Sequence, residues 1–281
     1  MTIPYLDAAE VRRRLPPLAA VDALEAALKS GLEPEDEAPR SVLGVAGGQL
    51  LVMPSAAAAH AVVKLVTVGG RPRVQGLCVA FDGRTLSPVA LLDGIAVTNL
   101  RTSAVSALAV RHLAVPDARR LLVFGRGPQA TAHVEAVRAV RPIARVDVLG
   151  RDAADRDALV AAADVICCCT TAREPLFDGR RAAEHATVVA IGSHEPEARE
   201  VDDALVARST VVVESVASAR REAGDVILAI RSRALDPARL VTLRALVRGE
   251  RSPAPGAPRL FKSTGMAWED AVTVDALLTA R

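Results

Sequence analysis

The stretch from Leu121 to Ala132, Leu-Leu-Val-Phe-Gly-Arg-Gly-Pro-Gln-Ala-Thr-Ala, constrains this chain more than any other. Leu121 to Phe124 is a short apolar run stopped by glycine, which reads as a buried strand. Gly125, Gly127 and Ala130 follow in the pattern Gly-x-Gly-x-x-Ala, and a helical pattern continues through His133-Val-Glu-Ala-Val-Arg. Strand, glycine turn and helix are the context in which this pattern binds a dinucleotide. Gly125 permits the tight turn, Gly127 lets a pyrophosphate approach the backbone, and Ala130 lets helix and strand pack closely. Pro128 and Gln129 open the helix, whose N-terminus offers N–H groups and a partial positive charge to phosphates.

A chain of 281 residues makes about two domains. Half of its residues are apolar, enough for sizeable cores, and a net charge of +2 leaves no nucleic-acid footprint. The cations are nearly all arginine, with lysine only at Lys29, Lys64 and Lys262, so a lysine here is more informative than an arginine. Cys78 and the run Cys167-Cys168-Cys169 lack zinc-ligand spacing and read as small, buried, reduced thiols. No set of His, Cys and carboxylates has metal-ligand spacing, so no metal is expected. His60, His112, His133 and His185 have no partner pattern and read as structural. The N-terminus has no charged-then-apolar signal pattern and no run of 18 uncharged apolar residues occurs, so a soluble cytoplasmic protein is expected.

Residues 7–30 read as helix, interrupted by Pro16-Pro17. Short strands are expected at Ser41–Val45, Gln49–Met53, Ala61–Val68, Leu77–Phe81 and Pro88–Leu92, forming an antiparallel sheet or partial barrel, followed by a helix from Thr98 to Leu113. After Pro116-Asp117, strands at Arg120–Phe124, Arg145–Leu149, Val165–Thr170, Thr187–Ile191 and Val211–Val213 alternate with helices, which implies a parallel sheet. Only one helix, Ala153–Ala162, fits between Arg151 and Asp164, so the usual third strand is expected to be missing and the order to be 2-1-4-5-6. The fold class is therefore α/β: a dinucleotide-binding Rossmann domain over 117–258, and an α+β substrate and dimerisation domain made of 1–116 and 259–281. Open sheet edges in the strand-rich first region predict a homodimer with its contact within 41–113.

Five segments resemble the ornithine cyclodeaminase/mu-crystallin family. They are Lys64-Leu-Val-Thr-Val, the run from Leu91-Leu-Asp-Gly through Asn99-Leu-Arg-Thr-Ser-Ala to Ala109, Gly125-Arg-Gly-Pro-Gln-Ala130, Ile191-Gly-Ser-His-Glu-Pro through Asp203, and Phe261-Lys-Ser-Thr-Gly-Met-Ala-Trp-Glu-Asp270. The resemblance spans nearly the whole chain. It implies a nicotinamide-dependent homodimer and places Arg40, Lys64 and Arg101 around a small-molecule substrate. A bidentate guanidinium suits an α-carboxylate, and a lysine inside an apolar strand has a lowered pKa suited to proton transfer. Asp93 reads as a turn residue. Thr170, Gly192 and Ser193 end strands at the carboxyl edge and are expected near the cofactor, whereas Ser263 and Gly265 are placed near the nicotinamide by the resemblance alone.

The family includes cyclodeaminases, ketimine or cyclic-imine reductases and some amino-acid dehydrogenases. The expected activity is that of an NAD(P)H-dependent oxidoreductase of the ketimine reductase or pyrroline-2-carboxylate reductase type, reducing a cyclic imine carboxylate to a cyclic amino acid. The alternatives are an ornithine cyclodeaminase and a non-catalytic, crystallin-like nucleotide-binding protein. Where cyclodeaminase members carry an aspartate, this chain reads Gly192-Ser193-His194. A neutral histidine weakens the lyase reading and leaves a reductase intact; His194 itself is a candidate proton donor, with Glu195 one residue too late to replace the aspartate. The second strand ends at Leu149-Gly150-Arg151-Asp152. An arginine there accommodates a ribose 2′-phosphate, so NADPH is expected over NADH, with Asp152 the competing partner of the ribose.

Overall fold

The computed structural model describes residues 3–150, 153 and 155–280. Arg151 and Asp152 lie outside the described residues, so the cofactor role expected of Arg151 falls there too. The chain divides into two compact units, Met1–Val105 with Met266–Arg281, and Ser106–Gly265.

The first unit opens with strand β1 (Tyr5–Leu6) and helices α1 (Ala8–Arg14) and α2 (Pro17–Ser30). Asp7 caps α1 by accepting from the N–H groups of Ala9 and Glu10, and the expected interruption at Pro16-Pro17 separates α1 from α2. Strands β2 (Ser41–Val45), β3 (Gly48–Ala56), β4 (His60–Val68), β5 (Val74–Asp82) and β6 (Pro88–Asp93) then run antiparallel, and β1 joins β6 in parallel, giving an open sheet of order β1-β6-β5-β4-β3-β2. Helix α3 (Gly94–Leu113) starts one turn earlier than its apolar pattern suggests. The cause is Asp93, whose carboxylate accepts from the N–H groups of Ile95 and Ala96.

In the second unit, β7 (Arg120–Phe124) leads into α4 (Pro128–Val140), β8 (Arg145–Leu149), α5 (Arg156–Ala162), β9 (Val165–Cys168) and β10 (Thr187–Ala190). Then come α6 (Asp203–Arg208), β11 (Thr210–Val213), α7 (Val216–Glu222), α8 (Gly224–Arg231), β12 (Val241–Thr242), α9 (Leu243–Val247) and β13 (Arg259–Lys262). Helix α10 (Ala267–Thr279) follows β13 and returns to the first unit, where it covers β3, β4 and α2. The seven strands of the second sheet are all parallel, in the order β12-β11-β13-β10-β9-β7-β8. Every residue of β9 and β10 is buried, as a parallel sheet covered on both faces requires. Among the described residues no strand lies between β8 and β9, and β8 is the edge strand.

Two expectations need correction. The order 2-1-4-5-6 is interrupted, because β13 inserts between β10 and β11, and β12 adds beyond β11. For the same reason the chain does not leave the nucleotide unit at residue 259. Leu260 and Phe261 are fully buried there, and each strand residue pairs on both sides: Leu260 with Val188 and Val211. A strand with an apolar centre that fills a gap between two others is held by both ladders and by burial of both faces. No helix among the described residues is long and apolar enough to cross a membrane.

Candidate active site

Alternation along β4 puts Val62, Lys64 and Val66 on the buried face of the first sheet. The register sets Met53, Lys64, Cys78 and Leu92 in one row across β3, β4, β5 and β6, and all four are buried. Helix α10 closes over this face and brings Glu269 and Asp270, both buried. Lys64 Nζ donates to Asp270 Oδ1 at 2.8 Å and lies 2.7 Å from Oδ2. Arg101, on α3, donates from Nε to Asp270 Oδ1 at 3.1 Å and from Nη1 to Glu269 Oε2 at 2.8 Å.

Two cations thus meet two carboxylates in a dry environment. Burial first, and the nearby Arg101 guanidinium second, hold the Lys64 ammonium below its ordinary range, and Asp270 opposes them. A buried lysine of this kind holds a proton it can give up, while its carboxylate partner keeps it charged until it does. Cys78, next in the row, is pushed up to about 12 by burial and is not a nucleophile. Arg40 is half-buried in the segment before β2. It lies one position beyond the Ser41–Val52 pair, where the register continues towards Met53.

In the second unit the expected cofactor residues gather at one sheet edge. Gly125 and Gly127 lie between β7 and α4, and Pro128, Gln129 and Ala130 open α4; Thr170 follows β9; Gly192, Ser193 and His194 follow β10; Ser263 and Gly265 follow β13. These four strands are neighbours, so their carboxyl ends form a continuous rim. Gly125 has φ +110°, and a Cβ there would meet the Cys169 carbonyl oxygen at 2.3 Å. Gly127 has nothing within 4 Å of where its Cβ would be, so the backbone is open to an approaching group. It precedes α4, whose N-terminus has Pro128 in its first turn and no side-chain cap. An uncapped helix N-terminus behind an open glycine fits a pyrophosphate.

The same rim holds carboxylates that sequence inspection did not single out. Glu214, at the end of β11, accepts from Ser263 Oγ at 2.6 Å and from the N–H groups of Thr264 and Gly265 at 3.0 and 3.2 Å. Glu200 accepts from Thr170 and Gly192, and Asp225, on α8, accepts from the N–H groups of Glu200 and Val201. Lys262 Nζ lies 2.8 Å from Asp225 Oδ2 and donates to the Ser193 carbonyl at 2.8 Å. Lysine rarity was the available signal for Lys262. Of the three lysines, Lys64 and Lys262 are buried, while Lys29 pairs with Glu25 on an exposed helix face. Nothing local distinguishes Glu200, Glu214 or Asp225 from surface carboxylates. His194 is half-buried, and Glu195 is engaged by Arg173 Nη1. The exposed Arg126, inside the glycine motif, rests on Gly150, whose Cβ would lie 3.7 Å from its Cζ. Among the described residues no group of three or more His, Cys, Asp or Glu could hold a metal ion.

Glycine turn, uncapped helix and buried lysine cluster all fall inside one family signature, which matches residues 5–161 and 151–278. The chain belongs to the ornithine cyclodeaminase/mu-crystallin family. It is 37% identical to Delta(1)-pyrroline-2-carboxylate reductase 2 of Burkholderia ambifaria, over 79% of this chain and 78% of the relative. It is 36% identical to the Delta(1)-pyrroline-2-carboxylate/Delta(1)-piperideine-2-carboxylate reductase of Azospirillum brasilense, over 95% and 93%. Among solved structures it resembles the Thermococcus litoralis Delta(1)-pyrroline-2-carboxylate reductase in complex with NADH and L-proline, with a TM-score of 0.90, 25% identity, and 98% and 96% of the two chains covered.

Proposed function

We propose that this family member is an NAD(P)H-dependent reductase of a cyclic imine carboxylate, pyrroline-2-carboxylate or piperideine-2-carboxylate, yielding the cyclic L-amino acid. The observation that carries the reading is the buried Lys64–Asp270–Arg101 cluster in a chain so similar to reductases of these imines. A bound dihydronicotinamide supplies the hydride that the imine carbon takes up. The protein supplies the rest. Lys64 gives a proton to the ring nitrogen, and Asp270 keeps that lysine charged until the transfer. Arg101 and Arg40 attract and orient the substrate carboxylate. His194, in the loop after β10, is the second candidate proton donor, and a histidine there disfavours the cyclodeaminase reaction.

In the second unit, Gly125, Gly127, Pro128, Gln129 and Ala130 receive the pyrophosphate, and Thr170, Gly192, Ser193, Ser263 and Gly265 line the rest of the nucleotide. We assign NADPH as the preferred cofactor, from Arg151, which follows Gly150 in sequence, and from Arg126, which rests against Gly150. We also propose a homodimer formed through residues 41–113. Strand β2 is an open edge whose Val42, Leu43 and Val45 are 49–59% exposed, and such an edge invites a partner.

The test is a cofactor-oxidation assay with both imines, run beside an ammonia assay on L-ornithine. Stoichiometric NADPH loss with either imine, and no ammonia, is expected. Proline and ammonia from ornithine with catalytic NAD would overturn the reading in favour of the lyase, and binding without turnover would favour the non-catalytic alternative.

A further inference from the structure

Glu200 is fully buried at the carboxyl edge of β9 and β10, yet no step of the proposed reduction uses it. We propose that Glu200 is a positioning residue of the dinucleotide site, its carboxylate tying the backbone at Thr170 and at Gly192 together at the spacing the cofactor needs. The inference rests on reading the second unit as the dinucleotide-binding unit.

The parallel ladders end just before these two positions. Cys169 N–H donates to the Phe124 carbonyl at 2.9 Å and Ile191 N–H to the Cys168 carbonyl at 3.2 Å. The next N–H on each strand turns to Glu200 instead: Thr170 N–H to Oε1 at 3.0 Å, and Gly192 N–H to Oε2 at 2.7 Å. Thr170 Oγ1 adds a third bond to Oε1 at 2.6 Å. One carboxylate therefore takes over as acceptor where the ladders stop and joins the ends of two neighbouring strands. The fit is close, since a Cβ on Gly192 would sit 2.4 Å from Glu200 Oε1 and 2.0 Å from the Thr170 carbonyl oxygen.

Glu200 is itself fixed from behind. Its own N–H donates to Asp225 Oδ1 at 2.7 Å, and Asp225 is paired with Lys262 on β13. A carboxylate is kept in such a dry place only when its oxygens are satisfied, and each oxygen here has at least one strong donor. The link to the cofactor motif is short. Gly125 packs on the carbonyl of Cys169, the residue before Thr170, so a shift at Thr170 reaches the glycine turn directly.

The test measures Kd for NADPH and NADH, together with cofactor KM and imine KM, in the full chain carrying Glu200→Gln, Thr170→Val, Thr170→Ser or both E200Q and T170V. In E200Q an amide N–H faces N–H donors, so cofactor Kd and KM should rise by about tenfold or more while imine KM stays within about twofold. T170V should raise cofactor Kd by about threefold, and T170S should restore it. If the hydroxyl acts through Glu200, the double variant loses no more than E200Q alone. The inference is overturned by a folded E200Q with unchanged cofactor Kd, by equal rises in cofactor and imine KM, or by additive losses in the double variant. If E200Q does not fold, T170V decides: an unchanged Kd overturns the inference, and a rise reversed in T170S supports it. A wild-type chain that binds neither NADPH nor NADH would instead remove the proposed function, and this inference with it.

Discussion

Lys64 on β4 and Asp270 on α10 are 206 residues apart in sequence, and their charged atoms meet at 2.7–2.8 Å inside the first unit. Asp270 also holds Arg101, so one carboxylate sets the position of two cations that repel each other. Replacing Asp270 by Asn removes the interaction that raises the Lys64 pKa against burial and Arg101. Lys64 then loses its proton at lower pH. The expected outcome is a fall in kcat of about a hundredfold near neutral pH, within the range for loss of general acid catalysis, with the basic limb of the pH–rate profile displaced towards acid. Imine reduction measured from pH 6 to 10 checks it, and a profile superimposable on the wild type would contradict it. Asp270→Ala should also destabilise the fold by about 3–5 kcal/mol, because it takes the carboxylate partner away from the buried Lys64 ammonium.

His133 gives a pH dependence of stability. It is fully buried on α4, donating from Nδ1 to the Gln129 carbonyl at 2.7 Å and accepting at Nε2 from Ser106 Oγ at 2.9 Å. Burial pushes its pKa down to about 4, from an ordinary 6.5. Between these values the unfolded chain binds a proton that the folded chain refuses. The stability contribution is therefore complete above pH 6.5 and is lost as pH falls towards 4, by about 3 kcal/mol in all. Glu200 acts with the opposite sign, since burial raises its pKa from 4.5 to about 7 and its contribution falls as pH rises through that window. The His133 effect is therefore read as wild type minus His133→Gln. Urea unfolding at pH 7 and pH 4.5 should show the difference shrinking at the lower pH, and a constant difference would refute the assignment.

Cofactor choice should respond to two arginines. Arg126 lies against Gly150 at the end of β8, and Arg151 follows that glycine in sequence. Each guanidinium suits a 2′-phosphate. Arg151→Ala and Arg126→Ala should each lower the NADPH/NADH ratio of kcat/KM by about tenfold, as loss of one charge-assisted contact predicts. NADH kinetics should move little. A ratio unchanged in both variants would reject NADPH preference by this route.

The exposed edge of the first sheet predicts association. Leu43 is 59% exposed in the middle of β2. Leu43→Glu places a charge in the proposed contact and should convert a dimer to monomer by light scattering at micromolar concentration. A wild-type chain that is already monomeric at that concentration would exclude the dimer.

Much of this protein is local and so was legible along the chain. The Gly-x-Gly-x-x-Ala turn, the alternation that buries Lys64, and the parallel pattern of apolar strands each depend on residues a few positions apart. The rarity of lysine marked Lys29, Lys64 and Lys262 alike, and only burial in the fold separates Lys64 and Lys262 from Lys29. Tertiary structure decided what joins distant segments. The insertion of β13 between β10 and β11 depends on which gap the tetrapeptide Arg-Leu-Phe-Lys fills, and its sequence is equally apt for an edge. The carboxylates that organise both units, Asp270 for Lys64 and Glu200 for Thr170 and Gly192, carry no local mark. A carboxylate on a helix or in a loop is ordinarily solvated, and only long-range packing takes it out of water and supplies the donors that make its burial tolerable.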